Sequence, residues 1–264
     1  MTKLERQRYA RAVLLAQDKI SIKYHRAIRA EIKRTAKDLS SSYVVDGQDG
    51  FNTIELDHKS RMNKILNDLA YETIVRFRKI SPLGKKALFD NFVEQSIYDI
   101  LSTSAAAMAL SVANTTVATA VAVIANQMVL GKTDSVQSEP EMVAEAISKW
   151  IGGSNSLSRA MTIARTETHK AVNVSQYTRA EMSADIADLS VIVEWIATND
   201  GRVRDGHRHA DGQLREIGKP FLINGELMKH PSDPHASAAN VINCRCVVGY
   251  DTVDAYTDLS KVGQ

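Results

Sequence analysis

Residues 189–201 read LSVIVEWIATNDG, and the character of the chain changes at this stretch. The β-branched and aromatic side chains of residues 191–196 are typical of a strand, and the Asn-Asp-Gly that follows is a turn signal. Before this stretch apolar residues recur at helical spacing, whereas after it short apolar runs alternate with turns. The stretch therefore predicts an α+β protein, in which a mainly helical N-terminal region precedes a small α+β domain with short antiparallel strands.

A hairpin signal follows further along the chain. Asn224 and Gly225 favour a type I′ turn, and they lie between two short apolar runs at 221–223 and 226–228. Residues 246–248 predict one further short strand.

The sequence before residue 189 predicts a series of helices. Residues 40–57 contain three consecutive serines and two glycines, and they predict a loop, with a short strand at 43–45 as an option. The predicted helical segments are residues 4–39, 58–80, 85–131, 141–150 and 156–185.

The double glycine at 152–153 is the predicted domain boundary, because it stops the preceding helix. We therefore expect three parts. They are a helical assembly region at 1–151 with a basic first helix and an Ala-rich segment, the small α+β domain at 152–252, and a C-terminal tail at 253–264.

Charge is distributed unevenly along the chain. The whole chain carries 33 Lys and Arg against 31 Asp and Glu, a net charge of +2, which does not indicate a general nucleic-acid coat. Residues 1–39, in contrast, hold eleven basic and four acidic side chains. This excess favours an anionic partner, either DNA phosphates or an acidic protein surface, over a merely solvated helix face. The residues predicted to make this contact are Arg6, Arg8, Arg11, Lys19, Lys23, Arg26, Arg29 and Lys33.

The sequence also bears on compartment and membrane contact. The chain opens with charged residues rather than an apolar signal segment, and Cys244 and Cys246 are too close for an ordinary structural disulfide, so we expect a reducing cytoplasm. Residues 100–131 carry no charge and exceed the roughly 20 residues that span a bilayer. Because Ala and Val dominate this segment and polar residues interrupt it, we favour a buried, helix-packing role over a membrane span.

The C-terminal region holds an ordered set of short motifs. They are, in chain order, Ala164-Arg165-Thr166-Glu167, Asn173, Trp195 with Asp200, Val203-Arg204 with His207, Asp211-Gly212, Asn224-Gly225 and Asn243-Cys244-Arg245-Cys246. Each motif alone is a weak signal, but the ordered set is specific. Over roughly residues 150–250 the chain resembles the Mu F-like head morphogenesis proteins of tailed phages.

The resemblance implies a minor, structural protein of the phage head and not an enzyme. Such a protein is made in the host cytoplasm, lies in the head interior or at the portal vertex, and acts in head morphogenesis and in genome packaging or delivery. The implied partners are the portal protein, the major capsid or scaffold protein and genomic double-stranded DNA. From the residues themselves we expect no membrane contact and no cofactor, with zinc as the alternative. The residues that the resemblance assigns to a structural motif are Arg165, Glu167, Asp200, Arg204, His207, Asn243 and Arg245.

Two closely spaced pairs also raise the question of a zinc site. His207 with His209 and Cys244 with Cys246 could supply four ligands, although adjacent zinc ligands are usually two to four residues apart. His209 stands where the family more often has an apolar residue, which leaves His207, Cys244 and Cys246 as the metal candidates. The alternative, which we favour because the resemblance covers only His207 and the cysteines, is that the cysteines pack as small apolar residues while Asn243 and Arg245 tie loops by hydrogen bonds.

Enzymatic alternatives stay open in the same region. Arg165, Glu167, Arg204 and Asp205 could form an active-site cluster, and the Arg-Thr-Glu run also resembles pieces of ADP-ribosyltransferases, but the rest of that pattern is missing. Three aspartates between 200 and 211 leave a nuclease metal site open. We favour a structural network in which Arg165 and Glu167 pin the long helix to that loop. The second candidate function is a metal-dependent enzyme acting on nucleic acid or nucleotide, carried in the virion.

Overall fold

A computed structural model describes residues 3–77, 90–133, 140–187, 190–198 and 200–252 of the chain. It confirms the α+β class, because long helices make up the N-terminal part and short antiparallel strands lie in the C-terminal part. The helices are α1 (Lys3–Asp46), α2 (Phe51–Phe77), α3 (Asp90–Thr133), α4 (Pro140–Gly152), α5 (Asn155–Ala187), α6 (Asp205–His209) and α7 (Ala238–Val241). The strands are β1 (Val191–Ile196), β2 (Leu214–Glu216), β3 (Phe221–Ile223), β4 (Glu226–Met228) and β5 (Val247–Thr252).

The predicted loop at 40–57 is wrong. Helix α1 continues through the serines, and the Ser40 hydroxyl donates to the Ala144 carbonyl at 2.7 Å, so its polar group is satisfied inside the fold. The chain turns instead at Gly47, which has a φ of +62°, and α2 begins at Phe51, whose side chain is buried. Tertiary packing therefore overrides the weak helix propensity of serine.

The chain forms two compact units, each built from separate segments of sequence. The strand unit comprises Met1–Ser21, Leu69–Leu101 and Arg165–Gln264, and the helical unit comprises Ile22–Asp68 and Ser102–Ala164. The double glycine ends α4, as predicted. The division into parts at 1–151, 152–252 and 253–264 stays a prediction.

Small residues of α3 form much of the core of the helical unit. Ala105, Ala109 and Ala120 are nearly fully buried and belong to the same apolar cluster as Ile32 and Ile147. Such side chains allow helix backbones to approach closely. The part of α3 at Phe92–Asn126 is long and apolar enough to cross a bilayer by length and composition, a test that core helices of proteins also pass. The buried alanines show the packing role that the composition predicted.

The strand unit contains a three-stranded antiparallel sheet in the order β2-β1-β5 and the two-stranded hairpin β3-β4. Strand β1 pairs with β5 so that Trp195 lies opposite Val248. The Trp195 and Phe221 rings are fully buried and meet edge to face at 5.5 Å. Tyr177 of α5 belongs to the same apolar cluster, so this helix supplies part of the core that supports the strands.

The turn chemistry of the hairpin is confirmed, whereas three short elements were not predicted. Asn224 and Gly225 have φ values of 50° and 83°, which the type I′ turn requires. Strand β2 and helices α6 and α7 are only three to five residues long. Such elements leave no periodic signal, because packing against distant residues forms them.

Candidate functional site

Three side chains of metal-ligand type converge in the strand unit. His207 lies on α6, while Cys244 and Cys246 lie in the segment that leads into β5, and each is at most 3% exposed. The His207 Nδ1 atom lies 3.6 Å from Cys244 Sγ and 3.4 Å from Cys246 Sγ, and all three atoms lie within 4.8 Å of one another. Both cysteines are free thiols. The structure thus brings together the three residues that the sequence offered as metal candidates.

A glycine allows α6 to approach the hairpin turn. A Cβ atom at Gly206 would lie 1.8 Å from Asn224 Oδ1, so any larger residue there would displace the turn side chain. Asn224 Nδ2 donates to Asn240 Oδ1 at 2.8 Å, and the same oxygen lies 3.4 Å from His207 Nε2. The hairpin turn, α6 and α7 therefore meet around the histidine.

Asn240 decides which ring nitrogen of His207 carries a hydrogen. Asn240 Nδ2 donates to the Ile223 carbonyl at 3.4 Å, which orients the amide with its oxygen toward the ring. Because an amide oxygen can only accept, we assign the hydrogen to Nε2. In the neutral ring Nδ1 then keeps a free lone pair, and this lone pair faces the two sulfurs.

The cysteine segment is anchored to α5. Asn243 adopts the left-handed conformation, with a φ of +53°, and its backbone N–H donates to Thr166 Oγ1 at 3.1 Å. The carbonyl of Cys246 accepts from His169 Nε2 at 2.6 Å and from Asn173 Nδ2 at 3.2 Å. These contacts fix the backbone that presents both sulfurs.

The network predicted for Arg165 and Glu167 is different in the structure. Glu167 is buried and pairs with Lys170 on the same helix, with 2.8 Å between Nζ and Oε1. Arg165 is exposed. The role of pinning the helix falls instead on its buried polar neighbours, Thr166, His169 and Asn173.

The pKa values of the two thiols shift in opposite directions. The hydrogen bond from the Cys246 thiol is the largest effect on Cys244, and together with smaller contributions from His169 and His207 it outweighs burial and holds the pKa of Cys244 well below its usual range. The pKa of Cys246 is raised, because its thiol supplies that hydrogen bond and is itself buried. The cluster therefore favours a thiolate at Cys244, a negative charge that a bound cation would balance.

The histidine that accompanies this cluster is His169 and not His209. The side chain of His209 is exposed, and its Nδ1 atom lies 2.9 Å from the Asp205 carbonyl oxygen. His169 is 4% exposed, and its hydrogen bond helps to lower the pKa of Cys244. Close spacing in sequence could not reveal it, but Thr166, His169 and Asn173 recur at helical spacing on one face of α5.

A cleft of about 410 Å³ lies partly against the cysteine segment. Four arginines line it, namely Arg165, Arg202, Arg204 and Arg245. Arg204 donates to the Ile242 carbonyl, and Arg245 pairs with Asp200. Within the described part of the chain, the side chains of Arg165 and Arg202 make no hydrogen bond or ion pair. The cleft thus offers two guanidinium groups to an anion, a feature that the sequence analysis did not identify.

The basic residues predicted for partner contact fall into two groups. Arg6 pairs with Glu194 at 2.8 Å and with Asp211 at 3.1 Å, and Arg29 donates to Ser156 Oγ at 3.3 Å, so both have internal roles. The others are exposed, namely Arg8, Arg11, Lys19, Lys23, Arg26 and Lys33. Contact of these six residues with a partner stays a prediction.

The helical unit contains a buried polar cluster that was not predicted. Glu31 Oε1 accepts from His58 Nδ1 at 2.9 Å, from Arg61 Nε at 2.8 Å and from the Thr35 hydroxyl at 3.1 Å. Burial alone would raise the pKa of Glu31, but the hydrogen bonds and charges of His58 and Arg61 outweigh it and lower the pKa. The available signal was an acidic residue within the apolar face of α1, next to Ile32.

Comparisons with known proteins give two matches. The family model described as Phage Mu protein F like protein matches residues 95–249, more than half of the chain. The minor head protein GP7 of Bacillus phage SPP1 is 34% identical over 96 residues, an alignment that covers 36% of this chain and 30% of that protein. The match thus spans about a third of the relative's length. No solved structure matches the chain significantly.

Proposed function

Because this chain belongs to the phage Mu protein F like family, we propose that it is a minor head protein of a tailed bacteriophage and a structural component of the virion. The observation that carries the proposal is the family match over residues 95–249, and the similarity to a minor head protein supports it. The role is in head morphogenesis rather than in catalysis.

The proposed place of action is the portal vertex or the head interior. The partners are then the portal protein, the major capsid or scaffold protein, and genomic double-stranded DNA that the protein helps to package or deliver. Six exposed basic residues of α1 support an anionic partner, because charges of one sign on a surface attract the opposite charge over a Debye length of about 10 Å.

The arginine cleft of the strand unit supports DNA as one of these partners. Arg165 and Arg202 are exposed, and the planar guanidinium group matches the geometry of a phosphate. Asp18 is the one acidic side chain among the described residues that line the cleft, so the local charge stays positive. We propose that this cleft contacts the phosphate backbone of the genome.

Quantitative mass spectrometry of purified particles tests the virion assignment. The protein is measured in DNA-filled and in DNA-emptied particles, with the portal protein as the internal copy-number standard. Retention in both identifies a fixed head component, and loss with the DNA identifies a delivered one. Absence from both particles would contradict the assignment.

Binding of double-stranded DNA at several salt concentrations tests the cleft. The logarithm of the DNA-binding constant falls with the logarithm of salt concentration, and each lost phosphate contact makes this slope shallower by about 0.9. The R165Q/R202Q variant should therefore have a slope shallower by about 2. K219Q is the matched control, because Lys219 is exposed but lies outside the cleft. If wild-type protein does not bind DNA at low salt, the cleft instead binds an acidic surface of another head protein.

One observation favours the second candidate function, a metal-dependent enzyme carried in the virion. Cys244 belongs both to the buried cluster and to the lining of the arginine cleft, which would place a metal near a bound phosphate. The test is hydrolysis of DNA or nucleotide by the zinc-supplemented chain. Hydrolysis that the C244S substitution abolishes would replace the structural proposal.

A further inference from the structure

We propose that His207, Cys244 and Cys246 bind a zinc ion that ties α6 to the segment preceding β5. This site does not depend on the virion role proposed above. A single sulfur or nitrogen ligand of this kind is common in protein cores, but here three converge with little access to solvent.

The two distances between sulfur and nitrogen match those of a tetrahedral zinc site. With zinc at about 2.3 Å from sulfur and about 2.0–2.1 Å from nitrogen, a tetrahedral angle places sulfur and nitrogen about 3.5 Å apart. The two measured separations from His207 Nδ1 are 3.4 and 3.6 Å. The three atoms could therefore bind one ion with little movement of the backbone.

The surroundings of His207 prepare it as a metal ligand. Metal-bound histidines usually donate their second ring N–H to a neighbouring oxygen, which fixes the ring and its tautomer. Asn240 Oδ1 accepts in this position from His207 Nε2, and Asn224 and Ile223 hold that amide in turn. The nitrogen left free is the one that faces both sulfurs.

The close spacing of the cysteines is no obstacle in this fold. Asn243 takes the left-handed conformation just before Cys244, and Cys246 is held through its carbonyl by His169 and Asn173. The side chain of Arg245, between the two cysteines, pairs with Asp200. The irregular backbone thus presents both sulfurs to His207.

Beside the three ligand residues there is room for about one water molecule. A cavity of about 10 Å³, close to the space that one water molecule occupies, is lined by all three ligand residues. Three protein ligands leave one tetrahedral position, which we assign to a water molecule. Binding releases to solvent any proton that the two sulfurs still carry.

Metal analysis of the full chain tests the proposal. The protein is produced in zinc-containing medium and purified without chelator, and its zinc content is measured by plasma mass spectrometry. We expect one zinc ion per wild-type chain, loss of that ion in C246S and H207Q, and full retention in the control H209Q, whose exposed histidine lies on the same short helix. Wild-type protein with no more zinc than C246S would overturn the site.

Cobalt(II) binding keeps the test decisive if the variants fail to fold. Wild-type chain freed of zinc should bind one cobalt ion and show the charge-transfer absorption of cobalt–thiolate bonds together with the intense visible bands of tetrahedral cobalt. Cobalt that binds without the thiolate absorption, or that does not bind, would contradict the proposed ligands.

Discussion

Each of the two units buries a histidine within a cluster of polar side chains, and the two clusters differ in the groups that face the histidine. In the helical unit His58 is fully buried, and its Nδ1 donates to Glu31, which also accepts from Arg61. In the strand unit His207 is 1% exposed and faces two sulfurs. The first cluster combines strong donors with a charged acceptor, whereas the second brings together weakly hydrogen-bonding atoms that are good ligands for a soft metal.

This difference separates a structural polar cluster from a ligand site. A buried carboxylate with a guanidinium and an imidazole partner satisfies its own charge, so nothing further is needed from outside. Two thiols around one imidazole nitrogen are, in contrast, good ligands for a soft metal ion, so this cluster can take up an ion from outside. Four predictions test this difference, in order of decreasing effect.

Removal of the carboxylate from the helical cluster should have the largest effect on stability. The E31A substitution leaves His58 and Arg61 without their buried acceptor, and breaking such a pair costs about 3–5 kcal/mol. Urea unfolding of the full chain measures the change. D46N, an exposed acid on the same helix, is the control. An E31A chain as stable as D46N would mean that the cluster contributes nothing.

Zinc removal should destabilise the strand unit by a smaller amount. A ligand that binds only the folded chain at about 100 times its Kd contributes about 2.7 kcal/mol. A strong chelator should therefore lower the Tm of wild type but leave that of the C244S/C246S variant unchanged. Equal responses of both proteins would remove the proposed distinction between the two clusters.

A side chain at Gly206 should disturb the zinc cluster indirectly. In G206A the new Cβ displaces the Asn224 amide and costs its hydrogen bond to Asn240, a loss of about 1 kcal/mol. Because Asn240 orients His207, zinc affinity should fall as well. G201A is the matched control, since no described atom lies within 4 Å of a Cβ there. The pair is compared by zinc titration and thermal melting.

The helical cluster should also make the free energy of unfolding depend weakly on pH in the acid range. The pKa of Glu31 is lowered in the folded chain from its ordinary value of 4.5, so the unfolded chain binds a proton first. The stability that Glu31 contributes is complete above pH 4.5 and is lost as the pH falls through the lowered folded pKa. Urea unfolding between pH 3 and 6 should show a smaller slope in E31Q than in wild type, and equal slopes would assign the acid response to other groups.

Patterns along the sequence predicted most of the helices and the hairpin, but not the loop at 40–57. Serines and glycines lower helix propensity in the unfolded chain, whereas the bond from Ser40 to Ala144 exists only after α4 has packed against α1. Strand β2 and helices α6 and α7 were missed for the same reason. Their stability comes from neighbours that are distant in sequence.

The candidate site was identified in part. His207, Cys244 and Cys246 were singled out by their residue types, and the structure places them together. The spacing argument added His209 as an option and could not find His169, which lies on a different element. Arg6 was assigned to an outside partner from its charge alone, although it pairs with Glu194 and Asp211 within the chain.

By itself, the sequence determined the features that depend on neighbouring residues. These are the α+β class, the type I′ turn at Asn224 and Gly225, and the ordered motifs that indicate the family, because periodicity, turn conformation and motif order are local properties of the chain. The tertiary structure alone decided which charged side chains form ion pairs within the chain and which histidine lies beside the cysteines. It also decided which buried cluster has all of its charges paired. Those outcomes depend on distances between residues far apart in sequence, and only packing sets these distances.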